Sequence, residues 1–427
     1  MVTGAPGPGG AGAPGPVGAR SPEPGGAGAP GPGEAGAPEP GGARRLRVLR
    51  VSHSAVVTAW RERERLLRSL GADLTLVTAV RWEEGGSVVR FSADGDGFAV
   101  PVRTVGRHPN LFLYDPIALW RILGSADWDL IDMHEEPFGL AVAEVLALCR
   151  LRRRHTPFVV SSAQNIDKRY PPPFRWFERW SLVKAAGAYT CNTEAGEILQ
   201  RKGLRPASVL VPLGVDVARF RPVDHPEPSG RLRVGFVGRL IPHKGVGVLI
   251  DAVAGDERMS LDVFGAGPES GALAEAVARL GIGSRVTFHG HVEEEDVPGT
   301  YRHVDVLAVP SVPMPGWLEQ FGRVVVEAQA SGIPVVASAS GALPDVVGEA
   351  GLLVPPGDPG ALRSALSRLL DEPGLWSRLR ERGIAGAGRY SWESVAEAQM
   401  ALYRRAAGLP RGYPPGDHLP DDRPSGG

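Results

Sequence analysis

The sequence predicts an α/β fold of two doubly wound, Rossmann-like halves facing a central cleft. Three observations carry that expectation. Short apolar runs alternate with helical patterns through the middle of the chain. The alternation stops at a Pro-rich stretch, Arg221 to Gly230 (RPVDHPEPSG), and then starts again. At 427 residues the chain is long enough for more than one domain with a substantial core. Open sheets of this kind bind ligands beyond the C-terminal ends of their strands, so functional side chains are sought there.

Taken in order, residues 1–43 are almost wholly Gly, Ala and Pro, with an imperfect repeat (GGAGAPGPVGARSPEP, then GGAGAPGPGEAGAPEP). With few bulky apolar side chains the segment cannot bury a core and is expected to be disordered. Glycine recurs every third residue only in patches, which argues against a collagen helix. The first half, 44–215, offers the strands LRVLRVSH, DLTLVTA, DLIDMH, PFVVSSAQN, AYTCN and SVLVPLG. Asp115-Pro116 reads as an N-cap with Pro at the first helical position, and Gly203 closes EAGEILQRKG. The second half, 216–390, repeats the pattern with RVGFVG, LDVFGAG, RVTFHG, DVLAVP, IPVVAS and GLLVPP. A closing helix occupies 391–409, and the tail 410–427 reads as disordered.

Composition excludes several classes. The formal net charge is −1, which gives no global pull toward nucleic acid or membrane. Only two cysteines, Cys149 and Cys191, each on a segment that reads as core, argue against a disulfide framework and a thiolate metal cluster. No apolar run reaches the roughly 18 residues of a membrane span, and the N-terminus lacks a signal peptide's apolar core. The expectation is a soluble cytoplasmic protein. Only four of its 47 basic residues are lysines: Lys168, Lys184, Lys202 and Lys244.

The stretch EQFGRVVVEAQASGIPVVAS places Glu319 just ahead of a helix and Glu327 inside it. Eight positions along a helix are about 12 Å of rise and roughly 80° of rotation. The two carboxylates therefore cannot share one metal ion or one proton, and do separate jobs. In FVGRLIPHKGV a strand leads to Gly238-Arg239, and Lys244-Gly245 opens a helix. Two cations at a helix N-terminus suit a diphosphate, although a solvated loop would carry the same residue types. DLIDMHEEPFG ends a strand with His134, Glu135 and Glu136, with no second His or Cys at zinc spacing.

Other motifs read as ordinary structure. Gly265-x-Gly267-xxx-Gly271 departs from a dinucleotide fingerprint by one position and is taken as a tight turn with Pro268 opening a helix. Asp94 and Asp96 in ADGDG are taken as a turn rather than a metal site. CRLRRRH and KRYPPPFRWFERWSLVK are read as a solvated helix end and a proline-led helix with core aromatics. The sharper reading of both is a patch meeting anionic lipids and a lipid-linked acceptor.

Together, VPLGVDVARFRP, GRLIPHKGV, VFGAGPE, VDVLAVPS, EQFGRVVVEAQASGIPVVAS and GLLVPPGD resemble, in order and spacing, the family-4 retaining glycosyltransferases of the GT-B fold, over roughly Leu46 to Gly408. The resemblance implies metal-independent transfer of a hexose from a UDP- or GDP-linked donor to an acceptor hydroxyl. The product would be an envelope polysaccharide, glycolipid or natural-product glycan, made at the inner face of the cell membrane or in the cytoplasm. It implies no cofactor besides that co-substrate. Glu319, with backbone N–H groups of Gln320, Phe321 and Gly322, would hold hydroxyls of the donor sugar, and Glu327 the ribose. Arg239 and Lys244, beside Gly238, would neutralise the diphosphate as the glycosidic bond breaks. His134 would contact the transferred sugar, and the backbone of Val292 would lie near the base. The last helix would cross back onto the first half.

Two departures qualify the resemblance. SGALPDVV carries Ala342 and Asp345 where the family has a second Gly and a Glu, and VSHSAVVTAWRERERLL lacks the Gly-Gly loop after the first strand. Inositol-phosphate and phosphatidylinositol glycosyltransferases typically carry that loop, and its absence argues against carrying their acceptors over to this chain. A sugar-nucleotide epimerase of the same architecture and a non-catalytic sugar-nucleotide binder remain as alternatives, with an NAD-dependent oxidoreductase weakest. Base, hexose, acceptor and oligomeric state stay open.

Overall fold

The computed structural model describes residues 45–84, 87–222 and 224–409. The two segments expected to be disordered, 1–43 and 410–427, lie outside them.

The first half runs β1 (Leu46–Val51), α1 (Glu62–Ser69), β2 (Ala72–Ala79), β3 (Arg81–Glu84), β4 (Ser87–Arg90), β5 (Ala99–Val102), β6 (Thr104–Val105), β7 (Leu113–Tyr114), α2 (Pro116–Leu123), β8 (Leu130–Met133), α3 (Leu140–Leu151), β9 (Phe158–Ser162), α4 (Phe174–Lys184), β10 (Gly187–Thr190), α5 (Thr193–Arg201) and β11 (Val209–Leu210). Seven of these strands pair in parallel, in the order β11-β10-β9-β8-β1-β2-β5. Parallel neighbours need crossovers, and the helices supply them. Asp115 caps α2 as expected, accepting from the N–H groups of Ile117 and Ala118 at 2.9 and 3.2 Å. Asn192 caps α5 from Ala195 N–H at 2.8 Å.

The second half runs β12 (Leu232–Val237), α6 (Val246–Ala254), β13 (Met259–Phe264), α7 (Ser270–Arg279), β14 (Val286–Gly290), α8 (Val297–Thr300), β15 (Val306–Val309), α9 (Arg323–Ala330), β16 (Val335–Ser338), α10 (Leu343–Val347), β17 (Gly351–Val354), α11 (Pro359–Asp371), α12 (Leu375–Ala387) and α13 (Trp392–Ala406). Its six strands are also parallel, in the order β14-β13-β12-β15-β16-β17. Chain order reverses beside β12, the kind of switch point where such sheets open a crevice. The closing helix α13 buries Val395, Met400, Leu402 and Tyr403 in one cluster with Leu46, Val48, Leu67 and Leu74 of the first half.

The strands between residues 81 and 114 escape the sequence pattern. β3 and β4 form an antiparallel hairpin, and β4 is exposed or half-exposed at every position, so it shows no buried apolar face. β5 contains Pro101, which fits its place at the sheet edge. Of the core aromatics expected of α4, Trp180 packs against the first-half core, whereas Trp176 is 59% exposed; Glu178 is buried and takes Lys202 Nζ at 2.8 Å.

Candidate functional site

The loops that follow β12, β13 and β14 are drawn together at the C-terminal edge of the second sheet. Gly238 N–H donates to Phe264 O at 2.9 Å, Gly265 N–H to Gly290 O at 2.7 Å and Leu240 N–H to Ala266 O at 3.0 Å. A Cβ on Gly265 would sit 1.8 Å from Gly238 O, and one on Gly267 would sit 2.3 Å from Leu240 O. These glycines are required by the approach of two backbones, which agrees with the tight-turn reading.

The same loops present the cations. Gly245 takes a left-handed conformation (φ +70°), and a Cβ there would meet Pro310 O at 2.0 Å. The turn before it delivers Lys244, whose Nζ lies 2.7 Å from Glu319 Oε2. Ser311 Oγ donates to that oxygen at 3.0 Å, and Glu319 is buried. Arg239 is exposed on the neighbouring loop. Burial, then the charges of Lys244 and Arg239, hold His243 below the usual histidine range, and Glu319 opposes them. His243 itself packs on Trp317 with ring centroids 3.8 Å apart.

The loop of Glu319 is held from both halves. Its carbonyl accepts from Ala342 N–H at 2.9 Å and from Asn165 Nδ2 of the first half at 2.8 Å. The carbonyl of Gln320 accepts from Asn192 Nδ2 at 2.9 Å, and that of Gly316 from Lys168 Nζ at 3.1 Å. Phe321 is buried edge-on to Tyr390, and Gly322 (φ +85°) starts α9. Within α9, Glu327 lines a cavity of about 480 Å³ with Arg219, Val237, Glu294 and Arg323 of the second half and Trp60 and Arg65 of the first. Tyr301 OH donates to Glu327 Oε2 at 2.9 Å, and Arg323 Nε lies 3.3 Å from Oε1. Burial raises the proton affinity of Glu327, while Arg323 and the Tyr301 hydroxyl oppose it. Val292 is half-buried against the adjoining apolar cluster.

His134 follows β8 and is half-buried between two further cavities, of about 380 and 300 Å³. Behind it lies a charge network that the sequence reading missed. Arg50 of β1 contacts Asp132 of β8, and its Nε bonds Glu64 Oε1 at 2.5 Å. Asp132 also accepts from Tyr403 OH of α13 and from Tyr189 OH at 3.0 Å. Arg50, Asp132 and Tyr403 are each fully buried. Since Tyr189 gives its only proton to Asp132, its oxygen must accept from Arg50 Nη1 at 3.0 Å and from His134 Nδ1 at 2.8 Å. We infer from that network that His134 carries its proton on Nδ1 and keeps Nε2 as an acceptor. Burial and the charges of Arg50, Arg63 and His53 hold the ring well below the usual histidine range, hence neutral. Beside it, Glu135 accepts from His53 N–H at 2.7 Å, and its Oε2 lies 2.6 Å from His53 Nδ1.

The structure thus joins Lys244 to Glu319, leaves Arg239 exposed on the neighbouring loop, places Glu327 on the largest of these cavities, and seats His134 with Gln320 on another. Among the described residues no group of three or more His, Cys, Asp or Glu is arranged to hold a metal ion, and no helix is long and apolar enough to cross a membrane. Asp94 and Asp96 lie at a turn, with Asp96 bonding Arg61 and Arg65.

Comparison with known proteins adds the following. The model of the family "Glycosyl transferases group 1" matches residues 231–372, and that of "Glycosyl transferase 4-like domain" matches 54–214. A D-inositol 3-phosphate glycosyltransferase of Streptomyces bingchenggensis is 31% identical over 334 residues, covering 71% of each chain. Among solved structures, sucrose-phosphate synthase of Thermosynechococcus elongatus superposes with a TM-score of 0.62 at 22% identity, over 84% of this chain and 99% of that one. Anabaena HepE in complex with UDP gives 0.63 at 19% identity, over 84% and 98%.

Proposed function

The chain belongs to the group 1, GT4-like glycosyltransferases, enzymes of the GT-B fold, and we propose that it moves a hexose from a nucleoside-diphosphate hexose to an acceptor hydroxyl with retained anomeric configuration and without a metal. The observation that carries the reading is the pair of separated carboxylates: Glu319 locked to Lys244, and Glu327 buried on the cavity. Glu327 takes the ribose hydroxyls, and Tyr301 orients it. Lys244 exchanges Glu319 for the diphosphate, joined by Arg239, and Glu319 is released to hold donor-sugar hydroxyls together with the backbone of Gln320, Phe321 and Gly322. The base lies at Val292.

In the reaction the bond from the anomeric carbon to the diphosphate oxygen breaks, and a bond to the acceptor oxygen forms on the same face. The acceptor proton passes to the departing diphosphate, so no enzymic nucleophile is needed. Lys244 and Arg239 stabilise the leaving charge where it develops. His134, neutral and with Nε2 free to accept, receives a hydroxyl of the transferred sugar. The UDP complex of the Anabaena protein supports a uridine donor. A lipid-linked, glycan or small-molecule acceptor meets the first half, with the reaction at the inner membrane face or in the cytoplasm.

Calorimetry without metal tests this, using UDP-glucose, UDP-N-acetylglucosamine and GDP-mannose. One donor is expected to bind, and Glu327→Ala to weaken it by more than about 1 kcal/mol. Equal binding by the variant refutes the placement of Glu327.

A further inference from the structure

We propose that Trp60, with Leu213 and Trp392, forms the wall of the cleft on which the acceptor lies, and that the acceptor is a hydroxylated compound with a planar, apolar ring system. The word acceptor rests on the transferase reading above; the apolar wall itself rests on the geometry that follows.

The chain between β1 and α1 folds into two 3₁₀ turns, His53–Val56 and Thr58–Arg61, and the second presents Trp60. Arg61 fixes that turn. Fully buried, it donates to the carbonyls of Ala55 at 2.7 Å, Ser92 at 2.6 Å and Val56 at 3.2 Å, and it bonds Asp96. Trp60 N–H closes the turn onto Val57 O at 3.1 Å. The Trp60 side chain is half-buried, and among the described residues its indole has no ring, cation or hydrogen-bond partner. Other indoles are engaged: Trp82 with His53 and Phe112, Trp317 with His243, and Trp376 with His225. A large aromatic face held on an anchored turn and left unstacked is a preformed surface for a ligand ring.

Among the described residues Trp60 alone lines all three cavities, of about 480, 380 and 300 Å³. Glu327 lies on the first and His134 on the other two, so a ring on Trp60 sits between the ribose site and the side chain assigned to the transferred sugar. Leu213, 40% exposed, extends the wall along the two smaller cavities, and Trp392 extends it along the 480 and 300 Å³ cavities. Trp392 packs on Gly214, where a Cβ would lie 2.0 Å from its ring, so glycine is required there. The charged groups of the 300 Å³ cavity leave these walls uncovered: Arg50, Arg63 and Glu64 are at most 7% exposed, and Arg323 pairs with Glu327. An entering ligand therefore meets apolar surface, with Ser54 and His134 at its hydroxyl end. A polyol laid on these walls would leave hydroxyls unpaired, whereas an aromatic ring gains offset stacking on the indole. In the transfer the hydroxyl oxygen on the ring system takes the anomeric carbon, and its proton leaves with the diphosphate.

The base of the donor is the other planar group that can stack on Trp60, and the test separates the two. 4-Methylumbelliferone and 2-naphthol, with open-chain geraniol and D-glucose as controls, are titrated into the full chain by calorimetry, with and without saturating UDP. Wild type, W60A, W60F and L213N are compared. With UDP in place, wild type is expected to bind at least one ring compound more tightly than geraniol or glucose. W60A should weaken that compound by about tenfold or more and L213N by about threefold or more, while W60F should hold it within about threefold. If UDP displaces the ring compound, or W60A weakens UDP as much as the ring compound, the wall serves the donor and the acceptor assignment falls. If geraniol or glucose binds as tightly, the planar class falls. If neither ring compound binds beside UDP, or W60A leaves ring affinity unchanged, the wall itself falls. Should circular dichroism show W60A unfolded, L213N decides by the same criterion, since Leu213 lies outside the core. Failure of UDP to bind wild type would refute the donor reading instead, and leaves the titration without UDP readable.

Discussion

Asp132→Asn is the sharpest probe of the network behind His134. In the folded chain every partner of Asp132 is a donor: Arg50, Tyr189 and Tyr403. An amide keeps the shape but withdraws the charge, and it forces one N–H toward a group that was itself donating. Arg50 is left with Glu64 as its one counter-charge. Breaking a buried ion pair costs about 3–5 kcal/mol, and the surviving bond to Glu64 puts this case at the low end. For a half of this size, about 3 kcal/mol corresponds to a melting shift of roughly 6–12 °C. Scanning calorimetry at neutral pH measures it, with Tyr403→Phe as a milder control expected to lose about 1.5–3 kcal/mol, the worth of a hydrogen bond to a charged group. The amide also turns the Tyr189 hydroxyl toward His134 Nδ1, so nitrogen-15 shifts of the imidazole should move the proton to Nε2. A loss below about 0.5 kcal/mol, or an unchanged tautomer, would refute the argument that Asp132 organises the site.

Three further outcomes are expected. Because the proton affinity of Glu327 is raised in the folded chain, its ionised form disfavours folding as pH rises through the folded value. Glu327→Gln should therefore be no less stable than wild type at neutral pH while binding donor more weakly; urea titration and calorimetry check the two limbs. His134 has the opposite sign: its folded proton affinity is lowered, so the stability it contributes is present above about pH 6.5 and is lost as pH falls below that value. His134→Gln should flatten that part of the stability-against-pH curve, and an unaltered slope would disprove the assignment. Gly265→Ala, at φ +145° and against Gly238 O, should lose about 2–3 kcal/mol, whereas Gly271→Ala in α7, with open space around its Cβ, should gain about 0.5–1 kcal/mol by chemical denaturation.

All twelve strand segments anticipated in the two halves contain strands of the two sheets, because each is a short apolar run bounded by turn residues. The strands from β3 to β7 were hidden because they are short, sit at edges or in hairpins, and bury isolated side chains such as Trp82, Val102 and Tyr114 rather than an apolar run. Glu319, Lys244 and His134 could be found from local motifs at strand ends. The network could not, since it needs register: Arg50 stands directly opposite Asp132 across β1 and β8. A signal was nonetheless present, in the opposite charges Arg50 and Asp132 inside two apolar runs, LRVLRV and LIDM. The burial within RERER was equally hidden, because it reads as a solvated helix face although Arg61, Arg63 and Glu64 are buried. The bonds by which Asn165 and Asn192 reach Glu319 and Gln320 are invisible to any local pattern, since those carbonyls lie in the other half.

Those two amides bear on how such enzymes diversify. Both reach across to main-chain carbonyls, of Glu319 and Gln320, and make no use of the side chains there. A graft that joins this first half to the second half of a relative would keep both bonds whenever the recipient loop follows the same path, whatever residues it carries. Recombination at the Arg221–Gly230 connector could then pair one acceptor specificity with many donors without redesigning the seam, provided the two asparagines travel with the first half.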